Sequence, residues 1–500
     1  MHNLPTMMQR LSHRIAVVIL LPVCLLIASC VTEVSPVTGE SQAYGYSWQQ
    51  ELQLGKQADA DIVRQFGVYD DPGLQSYVAS VANTVLTHSD FRRPDTPERY
   101  RNTQFTFRVL DSPVVNAMAL PGGYVYVTRG LLAHVNDEAQ LAVVLGHEIA
   151  HVAARHASRQ ALRAQVSQLG LVAGAIVGQQ VLGQPGVAEN ILQLGGSGLQ
   201  LVLMKYGRDA EREADALGAE YASGERYAVP RAEGFFRTLE RLSAGNGSLP
   251  TWQSTHPDPG ERARTLRNYQ SARGVPLDVV RRAEYLQQID GLVVGEDPRQ
   301  GYTDDGRFFH PELRFQFRVA DGWQLVNQRA AVIVVQPEQK AIARLAMSAE
   351  DSADAAANAF ARMEGLQVDE RRAVEISGMN AIRVRARAQA QTGAVVVENY
   401  FFRYQDKTYS FLGYAPEAEF ANHRPVLSRM ILSFEALTER ARLNVQPARL
   451  RVSRVQRPTR FDSLVTGDLP QGFTLQDLAV INQVGVDEQI AGEQMVKLLR

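Results

Sequence analysis

The chain has 500 residues, of which 45% are hydrophobic and 21% charged, with a formal net charge of -2. That length predicts several domains, the composition is that of globular protein, and the lack of a basic bias argues against nucleic acid as a main partner. Its two cysteines, Cys24 and Cys30, both lie near the start, so the folded body must be held by its cores and not by disulfides.

Arg10, His13 and Arg14 precede the apolar run IAVVILLPVCLL, which leads into Ile27-Ala28-Ser29-Cys30. A charged start, a short apolar stretch and small residues before a cut describe a secretory signal over residues 1–29. The run falls short of the about 20 residues of a comfortable membrane span. Its ending resembles a bacterial lipobox, which implies cleavage before Cys30 and a diacyl anchor on that thiol; Val31, which is not Asp, implies sorting to the outer membrane.

Helical patterning runs from about Trp48 to Leu86. The segment QFTFRVLDSP puts Phe105, Phe107 and Val109 on one face of a strand. In VVNAMALPGGYVYVTRGLL, Pro121-Gly122-Gly123 is a turn signal between two β-rich runs and predicts a hairpin or tight strand pair. Asn136-Asp137-Glu138 opens the next helix with acids at its N-terminal dipole. The run Leu169 to Gly178, LGLVAGAIVG, is apolar but half a membrane span long, which predicts a packed hairpin helix. A further helix covers YGRDAEREADALGAEYA, and STHPDPGERARTL follows from Ser254 to Leu266. The stretch 293–307 is rich in Gly, Pro and Asp and reads as a linker.

Beyond it the pattern changes. LRFQFRV, AAVIVVQ, AIRVRAR, AVVVENYFFRY and YSFLGYA are strand-like, and SADAAANAFARME and EFANHRPVLSRMILSFEAL are helical, so residues 308–437 predict an α+β domain. Its layout, with ADGW after the first strand and a closing ILSF helix, resembles the PsbP/Mog1-type fold. Arg383, Arg385 and Arg387 alternate and share one sheet face, read as solvated. Within 443–500, GFTLQDLAVIN followed by GEQMVKLL resembles a LysM-like α/β unit, which implies peptidoglycan as a partner.

The chemistry lies in HEIAH. His147 and His151 are one helical turn apart on one face and can reach a single ion. Glu148 is rotated about 100° from the first histidine, beside the metal and not on it, where it can take a proton from water. A catalytic zinc site needs a third protein ligand and an open fourth position. Glu211 and Asp215 in AEREADALG share a helix face, so Glu211 can complete a His-His-Glu set while Asp215 orients a ligand histidine. Glu213, about 200° away, faces elsewhere.

HEIAH, EREAD, NAMALPGGYVYVTRGLL and STHPDPGER together resemble the zinc metallopeptidase family that includes the prenyl-protein protease, HtpX and the periplasmic BepA-type proteins, over about Ser47 to Leu266. The resemblance implies a mainly α-helical α+β gluzincin-type domain over 30–292 and one Zn2+ per chain on His147, His151 and Glu211. It further implies Glu148 as general base with Asp215 in support, and an edge strand of Asn116, Ala117, Met118, Ala119 and Leu120 that pairs with extended substrate. His256, in THPDPGER, matches a histidine near the metal, as fourth ligand or gate. Tyr206, Arg208 and Arg262 are the groups considered for the oxyanion.

The reading is therefore a multidomain zinc endopeptidase in the periplasm, held to outer-membrane lipid through Cys30, that acts on misfolded or stalled envelope proteins. The alternative is a non-catalytic chaperone-like or peptidoglycan-binding scaffold lipoprotein. Glu148 separates the two, because a structural metal site needs no general base.

Overall fold

The computed structural model describes residues 31–175, 206–246, 256, 258–272, 274–390 and 393–500. The signal segment with Cys30, and residues 176–178 of the apolar run, lie outside them; the earlier part of that run continues a helix to Ala175. No helix among the described residues is long and apolar enough to cross a membrane.

The expected helical stretch from Trp48 forms two helices, α1 (Trp48–Phe66) and α2 (Pro72–Thr87). Ser47 and Gln50 make a capping box at the start of α1, and Asp71 caps α2 with Pro72 in its first turn. Gly67, at φ 71°, ends α1 in a conformation that residues with a Cβ seldom adopt. A three-stranded sheet follows, ordered β1 (Thr106–Leu110), β3 (Tyr124–Thr128), β2 (Ala117–Leu120). The expected hairpin is β2 antiparallel to β3, turned at Gly122 and Gly123, which have φ of 82° and 96°. Strand β1 lies parallel to β3, so β2 is an edge.

After the short α3 (Arg129–His134), helix α4 (Glu138–Ala153) runs through the core with every residue buried. A helix apolar on all sides must be enclosed, and its polar groups must be satisfied. Asp137 accepts from the Gln140 amide at 2.9 Å, and Glu138 accepts from Tyr77, Tyr227 and Arg281, each at 2.7 Å. Helices α5 (His156–Ala175), α6 (Arg208–Ser223), α7 (Ala232–Asn246) and α8 (Pro259–Arg267) surround it, and α6 crosses α4 where Gly146 meets Gly218.

Residues 293–307 depart from the expected linker. Val293 and Val294 are buried, Val293 bridges to Arg449, and Tyr302–Asp304 pairs with Arg307–His310 in a four-stranded sheet. The Gly and Asp residues there serve turns between paired strands and do not loosen the chain. Beyond, a seven-stranded antiparallel sheet has the order β7-β8-β9-β10-β6-β5-β4, from Gln324–Gln328 (β4), Ala331–Val335 (β5), Ile342–Met347 (β6), Leu366–Ile376 (β7), Met379–Ala390 (β8), Gly393–Tyr404 (β9) and Lys407–Pro416 (β10). Helices α9 (Ala353–Ala361) and α10 (Glu417–Leu432) cover it, and its core, with Phe308, Phe317, Phe402 and Phe434, is separate from that around α4. The alternating arginines are less solvated than expected: Arg383 is 12% exposed and pairs with Glu370 at 2.7 Å, while Arg387 pairs with Asp369.

The C-terminal residues return to the first body. Strands β11 (Leu450–Arg454) and β12 (Met495–Leu499) pair antiparallel around α11 (Leu475–Asn482). Leu450 and Ile481 join the core around α4. The buried Lys497 side-chain nitrogen donates to the carbonyls of Ala133 and Val135 at 2.6 and 2.9 Å, and Gln483 pairs with Gln140. Those carbonyls close α3, so a donor from the C-terminal unit satisfies the end of a helix leading into α4.

Candidate metal centre

Helix α4 presents His147 and His151, α6 presents Glu211, and the segment before α8 presents His256. One donor atom from each of the four lies within 4.8 Å of all the others, and all four residues are buried. His147 Nε2 is 2.9 Å from His151 Nε2, 3.3 Å from His256 Nδ1 and 3.6 Å from Glu211 Oε2. His256 Nδ1 is 3.0 Å from both Glu211 oxygens.

These separations fit one small ion. Nitrogen and oxygen donors about 2.0–2.2 Å from a tetrahedral zinc stand about 3.3 Å apart. The protonation states fit as well. Burial and the neighbouring His147 push the His151 imidazole well below its usual value, which leaves it neutral, the form that binds metal. Burial works to raise the Glu211 carboxyl, but His256, His147 and Arg262 more than offset it and hold the group below the usual carboxylate range. Glu148 Oε1 is buried without a hydrogen-bond partner among the described residues, 3.8 Å from His256 Nε2. An orphaned buried carboxylate oxygen is costly unless something else occupies its site; here it borders the cluster.

Behind the donors are groups that orient them. Asp215 Oδ1 is 2.9 Å from His147 Nδ1, and Arg262 on α8 grips Asp215 with two bonds of 2.6 and 2.8 Å. Against the effect of burial, the Arg262 guanidinium holds the Asp215 carboxyl far below the usual range. Arg262 Nη1 is also 3.3 Å from Glu211 Oε2, so it braces both acids of α6. Arg208, by contrast, is exposed and pairs with Asp258 at 3.0 Å. The Tyr206 ring stacks on His151, centroids 4.3 Å apart and 24° from parallel. Burial, with Glu148 and Glu211 nearby, pushes its hydroxyl up, so it stays a neutral donor.

The edge strand runs beside this cluster. Ala119, Leu120 and Pro121 line a small cavity together with His151 and Tyr206. Asn116 and Ala117 to Met118 are buried, and Asn116 Oδ1 has no hydrogen-bond partner among the described residues. Glu213 lies outside the four-donor cluster, as its helical phase requires, but it is not idle: its Oε2 lies 3.2 Å from His156 Nε2 and 2.7 Å from Arg159. His156 in turn reaches His151, with their Nδ1 atoms 2.8 Å apart. Sequence reasoning missed His156 because α4 stops at Ala153 and Arg155 reverses the chain at φ 53°. The available signal was the fifth residue after His151 in HVAARH.

The model of Peptidase family M48 matches residues 75–270, which span β1 to β3, α4, α6 and α8. The chain carries a peptidase family M48 domain. Zinc is the ion that M48 metallopeptidases use, and the four-donor cluster lies inside the matched M48 segment. The chain is 32% identical over 257 residues to the mitochondrial metalloendopeptidase OMA1 of Bos taurus, covering 47% of this chain and 45% of that protein. It is 26% identical over 276 residues to the beta-barrel assembly-enhancing protease of Escherichia coli (strain K12), covering 54% of each. It thus spans about half the length of the curated relatives it matches. Among solved structures, cyanobacterial PsbP from Synechocystis is similar over 27% of this chain and 91% of its own, at 12% identity and a TM-score of 0.23. The Ran-binding protein Mog1p of Saccharomyces cerevisiae is similar over 27% and 97%, at 11% identity and a TM-score of 0.21.

Proposed function

We propose that the chain is a zinc-dependent endopeptidase that hydrolyses peptide bonds in unfolded or extended envelope polypeptides. The observation that carries this reading is Glu148 Oε1, buried beside the four donors and without a hydrogen-bond partner among the described residues. A purely structural ion needs no such group.

His147, His151 and Glu211 would hold the ion, with Asp215 setting the tautomer of His147. Zinc held there would supply a Lewis acid for the scissile carbonyl and lower the pKa of the attacking water toward about 7. Glu148 accepts the proton of the attacking water on Oε1 and delivers it to the leaving amine. Backbone groups of β2 pair with an extended substrate without demanding a sequence, which suits unfolded polypeptides. Tyr206, a neutral donor stacked on His151, would meet the developing oxyanion. His256, with Nδ1 within 3.3 Å of two other donors, would hold the ion as a fourth donor and gate the site until substrate displaces it.

In the same reading residues 30–292 form the peptidase unit, 308–437 a PsbP/Mog1-like domain and 443–500 a LysM-like unit that holds peptidoglycan. The strand–helix–strand order of β11, α11 and β12 supports the last of these. The lipobox ending in Cys30 supports a lipid anchor on the periplasmic face of the outer membrane. Radiolabelled palmitate incorporation lost in Cys30→Ala tests the anchor. The activity itself is tested by digestion of unfolded casein with and without a chelator: zinc-dependent cleavage is expected, and cleavage that survives chelation, or none with zinc bound, contradicts the proposal.

A further inference from the structure

We propose that His156 and Glu213 are positioning residues for the ligand His151: a carboxylate–imidazole–imidazole chain that fixes its tautomer and strengthens its hold on the metal. The inference rests on the zinc reading above.

His151 turns Nε2 toward the cluster, 2.9 Å from His147 Nε2, which leaves Nδ1 as its outer nitrogen. When Nε2 gives its lone pair to an ion, the ring proton must sit on Nδ1 and needs an acceptor. The atom 2.8 Å away is His156 Nδ1. It can accept only if His156 is neutral with its own proton on Nε2, and that nitrogen meets Glu213 Oε2 at 3.2 Å. Arg159 donates a second hydrogen bond to the same Glu213 oxygen at 2.7 Å, which fixes the carboxylate at the end of the chain.

The backbone is bent to bring these groups together. Arg155 takes the left-handed conformation at φ 53°, which a residue with a side chain seldom adopts without compensation. Its buried guanidinium offsets that through Glu51 and Glu33, at 2.6 and 2.7 Å, and a stack on Tyr44 at 3.6 Å. The reversal starts α5 at His156 and points its ring back at His151. The two ligand histidines are thus supported alike: His147 by Asp215 directly, His151 by Glu213 through one intervening imidazole.

The test is zinc affinity of the full chain, measured by competition with a chromogenic chelator, alongside the melting temperature of the metal-free form. His156→Phe keeps a ring of similar size but cannot accept the proton; it should weaken zinc binding about 10–100-fold, the usual range for groups that orient a ligand. Glu213→Gln should weaken it by less, and should add nothing in the His156→Phe background. His156→Gln, whose amide oxygen can accept the same hydrogen bond, should recover most of the affinity. Metal-free melting temperatures should match wild type. Wild-type zinc affinity in His156→Phe overturns the inference while leaving the zinc reading intact. Equal losses in the Phe and Gln variants, tracking a lower metal-free melting temperature, assign a merely structural role and overturn it too. If His156→Phe does not fold, Glu213→Gln decides: unchanged affinity there overturns the chain. A wild-type chain that binds no zinc overturns both readings.

Discussion

Gly146 and Gly218 meet backbone to backbone where α4 crosses α6: a Cβ on Gly146 would lie 2.5 Å from the Gly218 carbonyl oxygen, and one on Gly218 would lie 2.5 Å from the His147 amide nitrogen. No flexible side chain can yield at this point. The contact sets the spacing of the two helices that carry His147, His151, Glu211 and Asp215, so it governs whether their donors converge. Gly218→Ala should force the helices apart, at a cost of about 1–3 kcal/mol, and lower zinc affinity at least tenfold. Thermal melts with and without zinc read both effects, and an unchanged zinc affinity would refute the spacing argument.

His256 is held by Glu211 at 3.0 Å and lies among the donors themselves. If it occupies the fourth position, it competes with water and substrate. His256→Ala should then bind zinc more weakly yet cleave an unfolded substrate faster than wild type at matched zinc occupancy. A slower or unchanged rate would instead assign His256 to catalysis or to support of the ligands.

The Lys497 side-chain nitrogen ties the C-terminal unit to the end of α3 through two buried carbonyls. Lys497→Met keeps the apolar stem and leaves both carbonyls without that donor. Unsatisfied buried groups of this kind cost about 1–3 kcal/mol. Urea denaturation should show a loss of that size for the peptidase body, read through Trp48 fluorescence, since Trp48 belongs to the same core. A wild-type midpoint would mean that the C-terminal unit does not brace α3 and α4.

The motif helix was legible because HEIAH places ionisable groups at helical spacing in an apolar run, and Asp137 gave its start. The β2–β3 hairpin was legible from Pro121-Gly122-Gly123. Strand β7 was not: LQVDERRAVEI lies at the edge of its sheet, mostly solvent-exposed, so it lacks the apolar alternation that marks β9 or β10. The stretch 293–307 misled because Gly and Asp mark tight turns between paired strands as readily as they mark a linker. Arg262 carries no local signal of its bond to Asp215, and the closeness of His156 to His151 in HVAARH gains meaning only through the chain reversal between them.

Glu148 is the residue on which the enzymatic reading turns, and the direct measurement is Glu148→Gln, with zinc content and hydrolysis of an unfolded substrate determined on the same sample. Gln keeps the shape and cannot accept a proton, and a positioned general base contributes about 10²–10⁴-fold. The expected result is wild-type zinc content with kcat/KM lowered at least a hundredfold. Near-normal hydrolysis at full zinc occupancy would contradict the role of Glu148 as general base.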